Sequence, residues 1–262
     1  MIRLIKFLKR YLFRKDIHFK LKERVIYYFR KNFKDAYKDQ KHLLGYIDNI
    51  IIFDVGSHIG NTVKKYKSVF PNSKIFAFEP SEKSYQTLLD IFENDKEILI
   101  SHYALSNNCN NKTLFLSSSD NLNSLKKPNK RAWGFDKKQT ITVETNTIDH
   151  FCAKNIIKHI NILKLDVQGS ELDVLEGTKS MLLSQKIDLV YMEWQVVPLY
   201  NNHALYYEIG NYLGKFGYEL FNIYNINEAR SGQIRWGDAI FTSKKLRESM
   251  VSEYGTGPGS GW

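Results

Sequence analysis

Apolar, β-branched runs recur through the middle of the chain, and most are followed by a stretch of helical periodicity. IIIFDVG (50–56), KIFAFEP (74–80), ILISHYALS (98–106), INILKLDV (160–167) and DLVYMEW (188–194) read as strands. Helical patterns follow at 61–70, 81–93, 171–184 and 203–216. Near-continuous apolar strands are buried on both faces, as in a parallel sheet. Their alternation with helices predicts a doubly wound α/β fold whose ligands sit at the carboxyl ends of the strands. GYELFNIY (217–224) and GDAIFTS (237–243) have no helix between them, which predicts a closing antiparallel pair.

The alternation breaks over 107–147. LFLSS and TITVET read as short strands, and the polar, basic stretch at 118–139 between them carries a single Trp. So long a loop in a compact domain is a lid or binding loop, or else a disordered surface insertion. The pattern therefore divides the chain into an arm (1–46), a main domain (47–244) and a Gly- and Ser-rich end (245–262), which reads as flexible.

Charge sharpens this division. The net charge is +10, of which residues 1–50 carry +9 and the remainder +1. The arm begins MIRLIKFLKRYLFRK, with apolar residues at three- and four-residue steps among Lys and Arg. This is a basic amphipathic helix pattern. Residues 1–31 are thus a candidate for docking to an anionic membrane surface or a partner protein, or for packing on the main domain with the charges solvated. The near-neutral body continues no basic groove, which disfavours nucleic acid as partner.

Cys109 and Cys152 fit no metal spacing and read as free buried thiols in a reducing compartment. No apolar stretch is long enough to span a bilayer, and the basic N-terminus lacks the pattern of a secretory signal. These features predict a cytoplasmic protein, with the arm as its candidate peripheral attachment.

Candidate chemistry begins after the first strand. Gly56 ends the strand and Gly60 opens the helix, with Ser57, His58 and Asn61 in the turn. Gly permits a tight turn and close approach of a ligand to the backbone. The middle glycine of a dinucleotide fingerprint is missing, which disfavours NAD. Asp54 would repel a pyrophosphate and attract a cationic amino group, which favours S-adenosylmethionine. Glu79, followed by Pro80 at the second strand tip, is placed to accept hydrogen bonds from ribose hydroxyls. A βα turn that needs glycine for geometry alone is the competing reading. His58 fits a backbone-bonding or cofactor-packing role better than that of a base.

LKLDVQGSE (163–171) carries the second set of acids. Asp166 ends an apolar strand, where a carboxylate is costly unless paired or used. Glu171 starts a helix, and SELD (170–173) matches a capping box with Ser170 as N-cap and Asp173 reaching back. Glu193 ends the fifth strand. Asp238 and His203 are further candidates. A Mg²⁺ ion on Asp166 and Glu193 is chemically conceivable, but no metal-type spacing supports it and no metal is expected.

FDVGSHIGNT, FAFEP, ALSN (104–107), TNTIDHF, LKLDVQGSELDVLEG, YMEW and GDAIF occur in one order across roughly 51–241. On these pieces the chain resembles the FkbM family of S-adenosylmethionine-dependent methyltransferases. The resemblance implies a Rossmann-like, seven-stranded, mostly parallel sheet and O-methylation of a hydroxylated acceptor, often a sugar or polyketide. By position it implies cofactor roles for Asp54, Gly56, Gly60, Asn61 and Glu79, for Ser106 at the adenine edge, and for Asp166 beside the transferable methyl. His58 departs from the family, which usually has Asn there. A sugar hydroxyl needs relief of its proton, for which Asp166, Glu193 and Glu171 are the candidate bases.

Three rivals remain. A nucleic-acid methyltransferase is motivated by the arm, but no N-P-P-Y-type motif follows the fourth strand. The second is a cofactor-binding module without catalysis; the complete Asp54, Gly56, Gly60, Glu79 set argues that cofactor binding, at least, is retained. The third is an NAD enzyme, disfavoured by the glycine spacing.

Overall fold

The computed structural model describes residues 34–135 and 139–254. The candidate docking helix at 1–31 lies outside them. Three apolar strands, β1 (Ile51–Val55), β2 (Lys74–Phe78) and β3 (Ile98–Ser101), run parallel with β7 (Ile160–Leu165) and β8 (Ile187–Gln195). The seven-stranded sheet has the order β3-β2-β1-β7-β8-β10-β9. Its last two members, β9 (Glu219–Glu228) and β10 (Ile234–Thr242), form the expected antiparallel pair, and β10 also runs antiparallel to β8. The order reverses between β1 and β7, so their carboxyl ends frame a crevice.

Strand periodicity sorts the side chains onto two faces. One face joins Phe53, Phe76, Phe78 and Phe151 in an aromatic cluster with ring centroids 5.0–5.6 Å apart. Onto it pack α4 (Ile148–Lys154), α5 (Glu171–Glu176), α6 (Lys179–Leu183) and α7 (Tyr206–Gly214), through Phe151, Val174, Leu182 and Ile209 among others. The opposite face is not purely apolar. Asp54, Lys164 and Tyr191 stand in register across β1, β7 and β8. Two residues further along β7 and β8, on that same face, lie Asp166 and Glu193.

Several boundaries differ from the sequence reading. Residues expected in the arm form α1 (Ala36–Leu44), in which Leu43 and Leu44 are fully buried. Its Tyr37 ring packs edge-on against Tyr66 of α2 (Asn61–Val69) at 5.3 Å, and Gln40 accepts from the Tyr66 hydroxyl. Residues from Tyr37 onward belong to one compact unit with the rest of the chain, so the body begins near 37 rather than 47. The expected flexible end starts too early as well, because α8 (Lys244–Tyr254) occupies its first turns and buries Leu246 and Met250. The 98–106 strand breaks after Ser101. Its end, β4 (Ala104–Leu105), joins β6 (Thr140–Asn146) and β5 (Asn111–Phe115) in a second, three-stranded sheet. The 171–184 helix is interrupted at Gly177, where a Cβ would stand 2.0 Å from the Ser106 carbonyl oxygen. Both cysteines are free, but Cys109 is exposed rather than buried.

The 118–135 part of the insertion is folded back onto the sheet end. A short 3-10 turn spans Asp120–Leu122, Ser124 Oγ donates to the Gln168 carbonyl at 2.6 Å, and Lys126 pairs with Asp173 at 2.9 Å. Backbone bonds from Asn129 to Leu199 and from Asn201 to Lys127 tie it to the segment after β8.

Candidate active site

Two adjoining hollows open at the carboxyl ends of β1, β2, β7 and β8, spanning about 540 and about 1150 Å³ of atom-free space that includes open solvent. Gly56, His58, Asn121, Asp166 and Gln168 line both. The first is an apolar slot between Val55, Phe78, Leu105, Leu114 and Val167, with Glu79 and Pro80 on its wall. The second is polar, with Lys164, Glu193 and Gln195 deep in it and two tryptophans, Trp133 and Trp236, on its wall.

The turn after β1 is built by close approach. Gly56 has φ +78°, and a Cβ there would lie 2.0 Å from the Asp166 carbonyl oxygen. Its glycine is therefore required where the β1 and β7 ends cross. Gly60 serves packing instead: a Cβ would press on Phe92 and Leu88 of α3 (Glu82–Phe92), and the residue lines neither hollow. His58 takes φ +47°, a region where His is enriched among non-glycine residues. Its backbone N–H donates to Glu79 Oε2 at 2.9 Å, while Ser81 N–H donates to Oε1 at 2.9 Å. Glu79 thus staples the turn to β2, and each oxygen keeps a lone pair for a ligand. Burial pushes its carboxyl up to about 7, against the pull of those two N–H donors. Ser57 donates its hydroxyl to the Asp54 carbonyl, and Asn61 borders the second hollow.

Asp54 departs from its expected role. It is fully buried and lines neither hollow; its carboxylate faces Lys164 Nζ at 3.1 Å. The two are register partners on neighbouring strands, so their side chains meet on one sheet face. Lys164 also reaches the Gly56 carbonyl at 3.3 Å and Asp166 at 3.6 Å. Burial alone would lower its ammonium, but Asp54 and Asp166 outweigh burial and raise it. Ser106 departs too. It is buried, its hydroxyl accepts from Lys112 at 2.6 Å, and its neighbours Ala104 and Leu105 line the slot in its place.

Asp166 and Glu193 come together through Gln168. Its amide Nε2 donates to Asp166 Oδ1 at 2.9 Å and to Glu193 Oε2 at 3.0 Å, and its Oε1 accepts from the Tyr200 hydroxyl at 3.1 Å. Gln168 itself holds φ +51°. Asp166 is 43% exposed in its side chain, whereas burial, and then the neighbouring Asp166 charge, drive Glu193 well above the carboxylate range. The arrangement therefore offers one solvent-facing carboxyl beside a second whose protonated form burial favours.

The capping box at 170–173 does not form. Ser170 makes no capping bond, and Asp173 is drawn to Lys126 of the insertion. Glu171 points back instead, accepting the N–H groups of Val167 and Gly169 on one oxygen at 3.2 and 3.3 Å. It is buried, pushed up to about 7 by that burial, and lines neither hollow. His203 bonds the Tyr200 backbone, and Asp238 accepts from Tyr191 and Asn225. Neither lines a hollow.

Lys164, Gln168, Tyr200, Trp133 and Trp236 were missed by sequence reasoning. For Lys164 a signal existed: a lone Lys two residues before Asp166 in an apolar strand must share its face and needs a partner. Gln168 stood in plain view in the quoted motif, but its two partners are distant in sequence. Trp133 is legible as the single Trp of the insertion but without a role, and nothing local marks Tyr200 and Trp236.

A family model described as the methyltransferase FkbM domain matches residues 54–220. The 2-O-methyltransferase NoeI of Sinorhizobium fredii is 25% identical over 167 residues, covering 57% of this chain and 65% of that protein. Methyltransferase 1 of Beauveria bassiana is 26% identical over 148 residues, covering 50% of this chain and 59% of its own length. The chain therefore spans less than two thirds of either relative. Among solved structures, precorrin-6y C5,15-methyltransferase from Geobacter metallireducens superposes with a TM-score of 0.45 at 9% identity, over 80% of this chain and 87% of that one. Magnesium protoporphyrin IX methyltransferase from Synechocystis, with S-adenosylmethionine bound, gives 0.44 at 10% identity, over 88% of each chain. With its α/β sheet and the family model matched across most of that sheet, the chain belongs to the FkbM family of S-adenosylmethionine-dependent methyltransferases.

Proposed function

We propose that the protein transfers a methyl group to a hydroxyl of a saccharide-type acceptor. The observation that carries this reading is the pairing of Asp166 and Glu193 through one amide, at 2.9 and 3.0 Å, where the two hollows meet. The donor set suits the cofactor. The slot is apolar enough for an adenine ring, and Glu79 keeps acceptor capacity for ribose hydroxyls. Asp166 and the Gly56 turn border the place where the slot opens into the polar hollow. When bound, S-adenosylmethionine supplies an activated methyl on a sulfonium centre.

The residues of the chain then have distinct tasks. Asp166, the exposed member of the pair, takes the acceptor hydroxyl's proton as the oxygen attacks. Glu193, whose protonated form burial favours, accepts from the same amide and competes less for that proton. Gln168 fixes the distance between the two, and Tyr200 fixes Gln168. Lys164 holds Asp166 from behind without reaching for the acceptor. The insertion covers the second hollow with Leu122 and Trp133 and so limits water at the acceptor.

The hydroxyl assignment draws on the 2-O-methyltransferase relative, and the saccharide assignment on the aromatic wall formed by Trp133 and Trp236. The decisive experiment is calorimetry with S-adenosylhomocysteine and NAD, followed by labelled-methyl transfer across glycans, lipids and RNA. Heat with S-adenosylhomocysteine alone and label in a glycan are expected. Asp166→Asn should lose turnover by roughly 10²–10⁴-fold, the range for a general base, while still binding S-adenosylhomocysteine. Turnover retained in that variant removes Asp166 as the base.

Among the described residues, no helix is long and apolar enough to cross a membrane. For residues 1–31 we propose peripheral docking to anionic lipid. Deletion of residues 1–15 should release the protein from anionic liposomes.

A further inference from the structure

The rim of the second hollow carries a charge arrangement that the methyl-transfer reading does not use. Trp133 of the insertion and Trp236 of β10 meet with ring centroids 5.7 Å apart and an interplanar angle of 37°. The Arg235 guanidinium sits over both rings, 4.4 Å from the Trp236 centroid and 5.5 Å from the Trp133 centroid. Both rings lie within cation–π range of the guanidinium, and no ion pair to Arg235 occurs among the described residues. An arginine fixed by its face with its edge open is a preorganised fork for an oxyanion.

The surroundings have the same sign. Residues 121–135 contain Lys126, Lys127, Lys130 and Arg131 and no acid, and of these cations Lys126 is taken up by Asp173. Backbone bonds fix Lys127 and Asn129 to Asn201 and Leu199, and Leu199 lines the hollow. The wall of the hollow thus carries two tryptophans under one guanidinium, and its floor holds Asp166 and Glu193 beside Lys164.

Building on the saccharide reading above, we infer that Arg235, Trp133 and Trp236 form an acceptor subsite specific for a sugar bearing an anionic group, a carboxylate or a phosphate. The sugar ring lies against the tryptophans, its anionic group meets the Arg235 edge, and its hydroxyl reaches down toward Asp166. The Arg235 guanidinium beside the tryptophans and the Asp166 carboxylate at the floor orient such a molecule, because Asp166 repels the anionic end. A single-stranded nucleic acid fits less well. Its bases need separate stacking platforms along a basic track, whereas these two rings pack against each other.

The test is titration of the full-length protein, followed by tryptophan fluorescence, with methyl glucuronide, glucose 6-phosphate, methyl glucoside and a short oligouridylate. Each titration is run with and without S-adenosylhomocysteine. The charged sugars are expected to bind about tenfold tighter than the neutral glucoside, the gain of one charge-assisted contact. The glucuronide and phosphate arms show which anion the fork prefers. Arg235→Gln should abolish the preference and Arg235→Lys should fail to restore it, with S-adenosylhomocysteine binding unchanged in both. Trp133→Phe should weaken all three sugars alike. Equal binding of charged and neutral sugars by the unaltered protein, or a preference that survives Arg235→Gln, overturns the inference. So does an oligouridylate that binds tighter than every sugar. If the charged sugars bind as expected but S-adenosylhomocysteine does not, the subsite stands and the methyltransferase reading falls.

Discussion

At the scale of single residues, the site depends on where each charge finds its partner. Asp54 and Lys164 are both buried and face each other at 3.1 Å, so neither can lose its partner cheaply. Lys164→Met should cost about 3–5 kcal/mol in urea denaturation, the penalty for leaving one member of a buried pair uncompensated. The double variant Asp54→Asn/Lys164→Met should recover part of that loss. Glu171 makes the opposite case, an acid whose value is greatest when protonated. Burial raises its carboxyl from 4.5 to about 7 in the folded protein. The folded state then binds more protons than the unfolded state between those values, so this contribution is complete below about 4.5 and is lost as pH rises to about 7. Glu171→Gln keeps an acceptor for Val167 and Gly169 but cannot ionise. Its melting temperature relative to the unaltered protein should rise steadily across that window, with turnover retained. If turnover falls as far as in Asp166→Asn, Glu171 belongs to the chemistry after all.

At the scale of elements, the insertion and the Gln168 turn act as one unit. Ser124 Oγ donates to the Gln168 carbonyl and accepts from Lys126 N–H, so one hydroxyl joins the insertion to the residue that spaces the two carboxylates. Ser124→Ala should cost about 1 kcal/mol of global stability, the net worth of a typical hydrogen bond. Its effect on turnover should be larger than its effect on melting, with faster proteolysis confined to 118–139. A melting temperature that falls without any change in turnover would show that the insertion only covers the site. The sequence marked this segment by what it lacked, a periodic pattern. It could not show the return of the insertion onto the sheet, because Ser124 and Gln168 lie 44 residues apart and each looks ordinary alone.

At the scale of the whole molecule, α1 is part of the body. Tyr37 packs on Tyr66 and Tyr191, the Tyr224 hydroxyl donates to Asp39, and Leu43 and Leu44 are fully buried. Deletion of residues 1–33 serves as the reference truncation. Deletion of 1–46 should lower the melting temperature sharply, since even one buried Leu reduced to Ala costs about 2–5 kcal/mol. Circular-dichroism melts of both truncations decide where the body starts. The sequence reading starts the body at the first strand's apolar run, and the basic charge of residues 1–50, which runs through α1, reinforces that choice.

The sequence alone determined the parallel strands, their antiparallel close, the glycine turn after β1 and the acids at the strand ends. Each of these is a local matter: apolar runs with period two, a residue without Cβ where the backbone must turn, a carboxylate where an apolar run stops. The tertiary structure decided what each acid does. Asp54 went to Lys164 because two strands of different origin came into register. Glu171 went to the turn behind it, and Asp166 and Glu193 became a pair through Gln168. Electrostatic partners are chosen by distance in space, and a carboxylate's sequence neighbours do not report which cation, amide or N–H will stand 3 Å away once the sheet has assembled.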